Sequence, residues 1–213
     1  MKKGDIFWIL ALLAWVAMLL VPATREPFLA FTTEHVYLGG FIKFAILASM
    51  GDFLGIRMSK GDYLIPKGVL MRAVIWGFIG MAVTLVFPFF MAGAASVQKA
   101  GLLPFENSKV AHAFFGSMIM NISFGPMMMV FHKFTDLYVD AFYRNEKITL
   151  SALVDRVDWH SVVEFTWTKA CIFFWIPAHT IVFLLPSQYR VLVSAFLSIA
   201  LGFLLAIANR KKK

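Results

Sequence analysis

Long apolar stretches separated by short polar segments dominate this chain. Six of them occur, at residues 6–21, 36–56, 69–91, 110–131, 162–185 and 191–208. At 1.5 Å of rise per residue, most can cross a hydrocarbon layer of about 30 Å as helices. They lack the alternation typical of strands in a membrane barrel. The pattern predicts an all-α fold, a polytopic membrane helical bundle of about six transmembrane helices that forms one domain over residues 1–213.

The composition indicates where this apolar surface lies. Hydrophobic residues make up 60% of the 213 residues and charged residues only 15%, whereas soluble domains carry about 45–50% and about 25%. A globule of this size cannot bury the surplus, so we expect a lipid bilayer to cover it. The net charge of +8 raises the alternative of nucleic-acid binding. The charges lie at the ends of apolar stretches, however, which favours contact with anionic lipid head groups at the cytoplasmic face.

The first stretch follows Lys2 and Lys3 and so begins like a secretory signal peptide. Cleavage requires small residues at the first and third positions before the cut. The sequence after the stretch, Pro-Ala-Thr-Arg at residues 22–25, meets this requirement poorly. We therefore predict a retained first helix, with cleavage as the alternative.

Lysine and arginine are distributed unequally between the two sides of the predicted membrane. With a cytoplasmic N-terminus, 14 of the 20 basic residues fall in cytoplasmic segments and four on the opposite side, while Lys43 and Lys169 lie within spans. The positive-inside rule therefore predicts six helices with both termini cytoplasmic. The absence of an Arg-rich presequence favours a multi-pass protein of the cell membrane, and an organelle membrane is the alternative for a eukaryotic source.

The longest connection, residues 133–159, lies on the predicted cytoplasmic side. Its apolar residues recur three and four positions apart, at Phe134, Leu137, Tyr138, Ala141 and Phe142. This spacing predicts an amphipathic helix, which either extends the fourth span or lies on the membrane surface.

Polar side chains within the apolar stretches are the candidate functional residues. A charge at the centre of a bilayer costs roughly 3 kcal/mol on insertion scales, so it needs a partner or a function. Lys43 and His112 are two such residues. The candidates for a polar lining are Asp52, Arg72, Asn121, Glu164, Lys169 and His179.

Two of these candidates allow more than one interpretation. Glu164 and Lys169 are five residues apart, which places them about 140° apart on an α-helix and predicts that they do not pair. Glu164 shares a face with His160, either in a polar cavity or at a solvated helix end. Lys169 either pairs with Asp52, extends toward the interface, or lines a pore.

The sequence patterns do not point to catalysis. Cys171 is the single cysteine, which excludes an internal disulfide and a cysteine-based metal site. The pairs His160 with Glu164 and His132 with Asp136 have helical ligand spacing, but the chain contains no His-Glu-x-x-His motif. It also lacks a Gly-x-Ser-x-Gly motif, a P-loop and a dinucleotide fingerprint. We predict no enzyme, no cofactor and no metal site.

The last two stretches and the turn between them show a known pattern. A tryptophan and a proline are followed by Phe-Leu-Leu-Pro-Ser-Gln-Tyr-Arg at residues 183–190 and then by a final apolar helix. Over residues 36–208 the chain resembles the Mpv-seventeen/22-kDa peroxisomal membrane protein family. The residues that carry the resemblance are Trp175, Pro177, Pro186, Tyr189 and Arg190 in the turn region, with Gly51, Asp52, Arg72, Gly77 and Gly80 upstream.

The chain also departs from that family. Ile176 separates the tryptophan and proline that usually adjoin, Val182 stands where an asparagine is expected, and the last helix lacks the usual tryptophan. Such departures are those of a distant, bacterial-type relative. The resemblance implies a multi-helix membrane protein of a family sometimes proposed to form channels.

Two functional hypotheses follow. The first is a channel or transporter for a small solute, with the polar candidates as its lining. The second is a structural or scaffolding membrane protein that conducts nothing. A homo-oligomer is compatible with both.

Overall fold

The fold is described from a computed structural model, which covers residues 2–210, with side chains as far as Phe203. The basic tail at residues 211–213, on which the topology prediction draws, lies outside the described residues. Within residues 2–210 the chain is all-helical and contains no strand, so the predicted all-α class is confirmed. The helices are α1 Lys3–Leu20, α2 Pro22–Glu34, α3 Val36–Lys60, α4 Val69–Lys99, α5 Lys109–Tyr143, α6 Leu150–Arg156, α7 Trp159–Leu184 and α8 Ser187–Arg210.

Five helices, α1, α3, α4, α5 and α7, are long and apolar enough to cross a membrane. The part of α8 with described side chains, Ser187–Phe203, is apolar but shorter. Each predicted apolar stretch overlaps one of these six helices. Helix α2 was not predicted, because its prolines, charges and threonines interrupt the apolar pattern.

Five helices close into a ring. Helix α3 packs against α4 and α8, α5 packs against α4 and α7, and α7 packs against α8. Each of them contributes buried side chains to one apolar core, exemplified by Phe44, Val83, Met120, Val182 and Leu192. Large apolar side chains such as Phe78 and Ile122 also cover the outer surface of the ring, so the core forms by close helix packing and not because each helix has one apolar side.

Helices α1 and α2 lie outside the ring. No residue of α1 is buried. The helix is nevertheless attached, because Trp8 Nε1 donates a hydrogen bond of 2.9 Å to the Met50 carbonyl of α3. Trp15 meets Phe28 of α2 and Phe196 of α8 edge to face. These tryptophan contacts hold the first helix to the rest of the bundle.

Small residues set the distance between α3 and its neighbours. A Cβ atom added to Gly40 would lie 2.7 Å from the Gly80 carbonyl oxygen of α4. A Cβ atom on Gly51 would lie 2.7 Å from the Ser198 carbonyl oxygen of α8. Only glycine permits such close backbone approach. Gly55, one turn beyond Gly51, has no atom within 4 Å of an added Cβ and therefore does not contribute to this packing.

Ion pairs gather at one end of the bundle, which we call the Arg72 end. Arg57 of α3 binds Asp5 of α1 through two hydrogen bonds of 2.7 and 3.0 Å. Lys2 and Asp62 form an ion pair of 2.5 Å, and this hydrogen bond lowers the pKa of Asp62. These contacts join the start of α1 to the α3–α4 loop.

The connection after α5 lies at the Arg72 end as well. Helix α5 runs unbroken to Tyr143, so the amphipathic segment extends the fourth apolar stretch. Helix α6 follows, and its N-terminus is capped by Thr149 Oγ1, which accepts a hydrogen bond from the Ala152 N–H. Arg156 of α6 donates to Glu146, and this bond lowers the pKa of the Glu146 carboxyl.

Most of the first half of α7 is not α-helical. Residues Val162–Trp175 follow a π-helical pattern, with backbone hydrogen bonds between residues five apart, and Ile176–Leu184 return to α-helix. Thr168 Oγ1 follows the same register, since it donates to the Val163 carbonyl at 2.6 Å. Most π-helical segments are single turns and many occur at functional sites, whereas this one extends over 14 residues.

Candidate functional site

A stripe of polar and small side chains runs along α5. Its members, which we call the α5 stripe, are Ser117, Asn121, Gly125, Met128, His132 and Asp136. Their spacing confines them to an arc of about 100° on a regular helix. The first three are buried and the others are half-buried, so the stripe faces the bundle.

The first two residues of the stripe meet α7 and α8 in a buried polar cluster. We call its residues, Ser117, Asn121, His179 and Ser194, the central cluster. His179 Nδ1 lies 3.2 Å from Asn121 Oδ1, and His179 Nε2 lies 3.1 Å from Ser194 Oγ. Asn121 Nδ2 donates to the Ser117 carbonyl at 2.8 Å. The imidazole thus joins three helices of the ring through hydrogen bonds.

Aromatic rings surround the imidazole. Trp175 stacks on His179 with ring centroids 5.1 Å apart and an interplanar angle of 16°. Phe87 of α4 meets the imidazole edge to face at 5.5 Å, and Phe183 stacks at 6.2 Å. Because His179 is only 7% exposed, its hydrogen bonds lie in an apolar setting that strengthens them.

Pro177 explains part of the local geometry. It lacks an N–H, so the backbone hydrogen-bond ladder is interrupted where the π-helical segment ends. Nearby, the Ile176 carbonyl accepts hydrogen bonds from the Ser117 hydroxyl at 2.8 Å and from the Thr180 hydroxyl at 2.7 Å.

Two buried indole N–H groups of α7, those of Trp167 and Trp175, have no hydrogen-bond partner among the described residues.

A second polar group lies at the Arg72 end, where the stripe meets α3 and α4. We call it the Arg72-end cluster; it consists of Asp52, Arg72, Trp76, His132, Asp136 and Asp140. Trp76 Nε1 donates to Asp52 at 2.7 Å, and the Trp76 ring lies 4.1 Å from the His132 ring. Arg72 donates to both Asp136 and Asp140.

The Arg72-end cluster has more acidic than basic groups. Three carboxylates face one guanidinium, with His132 as the only further titratable group of the cluster. Asp52 and Asp140 are exposed, so the cluster opens to the surroundings of the bundle. This composition favours cations or hydrogen-bond donors over anions within the cluster itself.

The opposite end of the bundle, the His112 end, carries a polar pocket of about 410 Å³. Gln98 closes its floor, because it is 2% exposed and its Oε1 lies 3.1 Å from His112 Nδ1. Lys99, Glu106 and Lys109 line the rim. The pocket thus presents charges of both signs.

Apolar layers separate these three polar sites. Between the central cluster and His132, about 16 Å of α5 contains only Gly125 and Met128 of the stripe. A Cβ atom on Gly125 would lie 3.6 Å from Cys171 Sγ, so the two helices are close at this level. On the other side, Met91 of α4 covers Gly116. Close contacts between small and apolar residues therefore lie on both sides of the central cluster.

The structure brings some predicted residues together and separates others. Asn121 and His179 meet in the central cluster, whereas Asp52 and Arg72 belong to the Arg72-end cluster. Glu164 and Lys169 are exposed on the outer side of α7. The proposed pairing of Lys169 with Asp52 is absent, since Lys169 forms no ion pair among the described residues.

One geometric prediction was wrong. Glu164 and Lys169 were expected about 140° apart, but in the π-helical segment a residue lies one turn above the residue five positions earlier. The two side chains therefore share one side of α7. The 3.6-residue period was the wrong assumption for this segment.

The turn residues identified in the sequence surround the last helix connection. Trp175 and Pro177 flank the central cluster, as described above. Pro186 lies between α7 and α8, and its carbonyl accepts the Tyr189 N–H at 3.0 Å. Arg190 donates to the Leu185 carbonyl at 2.9 Å and lies over the Phe183 ring. The turn thus supports the helix that carries His179.

Sequence reasoning missed several members of both clusters. Ser117 and Ser194 gave no signal of their own, because serine is common as a small packing residue in membrane helices. Asp136 was noted only as a partner of His132, in a segment assigned to a cytoplasmic connection. Its spacing from Asn121 and His132 on one helix was the signal that was available.

Comparison of the chain with protein-family models, with curated proteins and with solved structures found no match. The resemblance described for residues 36–208 therefore stays a prediction.

Proposed function

We propose that this protein is a multi-pass protein of the cell membrane that conducts or transports a small solute along the α5 stripe. The observation that carries the proposal is the polar series on one side of a single long helix, from Ser117 through Asn121 to His132 and Asp136. A bilayer-spanning helix in an inert bundle has no need of such a series, because each polar group there is costly.

The proposed topology has six spans, α1, α3, α4, α5, α7 and α8, with both termini in the cytoplasm. The Arg72 end is then cytoplasmic, which agrees with the excess of lysine and arginine in its segments. The pocket at the His112 end faces the other side. In this topology the Arg72-end cluster, the central cluster and the pocket at the His112 end lie one after another between the two aqueous compartments.

In this proposal the described conformation is closed. A solute reaching the central cluster would exchange hydrogen bonds with Asn121, His179 and Ser194, which offer both donors and acceptors. Opening requires the layers at Met91 and at Gly125 with Met128 to separate. The interrupted ladder at Pro177 gives α7 a place to bend.

Flux measurements on purified protein in liposomes test this proposal. The probes are glycerol, urea and sodium acetate, and the readout is the rate of vesicle reswelling after osmotic shock, followed by light scattering. We expect one or more probes to enter faster than in protein-free vesicles, and Asn121→Leu to reduce that rate at least tenfold. Ile122→Ala is the matched control, because Ile122 is 60% exposed on the outer side of the same helix.

A structural role without conduction is the second candidate. It is favoured by one observation, namely that each side chain of the central cluster finds a hydrogen-bond partner within the bundle. A network in which every side chain already has a partner can fix the positions of the helices without binding any solute. Reswelling rates equal to those of empty vesicles for all three probes would favour this candidate.

Membership of the Mpv-seventeen/22-kDa peroxisomal membrane protein family is also proposed, on the sequence pattern alone. It is consistent with a multi-helix membrane protein but adds no residue to the path described above.

A further inference from the structure

The outer side of α7 carries charged and apolar residues together. We call Glu164, Phe165, Thr168, Lys169, Ile172 and Phe173 the α7 outer face. All six are exposed in the single chain, and Phe173 is 77% exposed. Lys169 is the eleventh residue of α7 and lies up to about 15 Å along the helix from its first residue. In a membrane-spanning α7 it therefore lies well inside the bilayer.

An ammonium group at that depth needs a partner. Lys169 has no ion pair or hydrogen bond among the described residues. Glu164 Oε2 is 3.5 Å from His160 Nδ1, and both of these side chains are more than half exposed. The Glu164 carboxylate is therefore accessible to a group outside this chain. Charged residues inside membranes usually pair with one another.

The π-helical register arranges the two charges for reciprocal pairing. Glu164 and Lys169 lie on one side of α7, one turn apart. When two parallel copies of such a helix meet, a glutamate of one copy lies beside a lysine five positions later in the other. In parallel coiled coils, charged residues that flank the contact likewise form salt bridges between the helices. A two-fold axis repeats the contact. The same face of each copy therefore supplies the glutamate of one salt bridge and the lysine of the other.

We propose that the α7 outer face binds a second copy of this chain, with Glu164 of each protomer paired to Lys169 of the other. The proposal rests on the membrane-spanning placement of α7 proposed above, but not on conduction. Thr168 lies between the two charges and is small enough to let the helices approach. Phe165, Ile172 and Phe173 then pack across the contact instead of facing lipid.

The test counts protomers at low density in lipid vesicles, using protein labelled with one fluorophore per chain and single-molecule photobleaching. We expect two bleaching steps for the native chain. Glu164→Lys and Lys169→Glu each place like charges opposite one another and should reduce the two-step fraction at least tenfold. The double variant with the charges exchanged should restore it.

Lys133→Glu is the matched control, because Lys133 is exposed on α5 and lies outside the α7 outer face. It should leave the two-step fraction unchanged. Helix content by circular dichroism identifies variants that fail to fold. If a single variant fails to fold, the double variant with exchanged charges still tests the pairing. Single bleaching steps for the native chain, or dimers in both single variants, would overturn the proposal. Solute flux is measured on the same vesicles, so that loss of pairing is distinguished from loss of conduction.

Discussion

The central cluster and the Arg72-end cluster are both built on α5, yet they differ in almost every physical property. The central cluster contains uncharged amide and hydroxyl groups around one imidazole, and His179 is 7% exposed. The Arg72-end cluster contains three carboxylates and a guanidinium, and two of its carboxylates are exposed. The difference shows how depth in the bundle selects polar chemistry. In these two clusters the neutral hydrogen bonds lie inside the bundle and the full charges lie where the bundle opens to its surroundings, although elsewhere Lys43 is only 4% exposed.

The comparison predicts that the central cluster matters most for stability. His179→Ala removes a buried ring and the hydrogen-bond partner of Asn121 Oδ1 and Ser194 Oγ. We expect the free energy of unfolding to fall by about 3 kcal/mol, from the cavity and the lost hydrogen bonds together. Equilibrium unfolding in mixed detergent micelles, followed by tryptophan fluorescence, measures this change.

Phe183 offers a reference for that substitution, because Phe183→Leu reduces ring volume nearby while keeping all hydrogen bonds of the cluster. A loss for His179→Ala no larger than that for Phe183→Leu would show that the polar network adds nothing to stability.

A smaller effect is expected at the Arg72 end. Arg72→Met removes the partner of Asp136 and Asp140, but both carboxylates can turn toward water. We expect a loss of about 1 kcal/mol, because Asp136 and Asp140 are accessible to solvent and ion pairs with accessible carboxylates contribute little. The same micelle unfolding experiment, repeated at low and high salt, checks this value. A loss that exceeds that of His179→Ala would reverse the order on which the comparison depends.

The sequence allowed much of the fold to be predicted, for a definite physical reason. Apolar stretches long enough to cross a bilayer leave few structures other than helices, because every backbone group must bond within its own segment. Helix α2 was not predicted, because Pro22, Arg25, Glu26 and Pro27 interrupt the apolar pattern of its sequence. The π-helical segment escaped because nothing in residues 162–175 distinguishes it from an α-helix of the same composition.

The candidate site was predictable only in part. Asn121 and His179 stood out because amide and imidazole groups are costly in hydrocarbon. Their meeting could not be foreseen, since it depends on how α5 and α7 pack. Ser194 and Ser117 are small enough to pass for packing residues. The separation of Lys169 from Asp52 likewise follows from the ring, in which α3 and α7 are not adjacent.

The central claim is that the α5 stripe lines a path through the membrane, and cysteine accessibility tests it most directly. In a Cys171→Ala background, single cysteines at Ser117, Asn121, Gly125, Met128, His132 and Asp136 are exposed in membrane vesicles to a small, charged, membrane-impermeant thiol reagent. Controls at Ile122, Met127 and Phe131 lie on the exposed side of the same helix. The account predicts labelling along the stripe and none at the controls. Labelling confined to the two ends, with Asn121 and Gly125 unreactive from both sides, would contradict it.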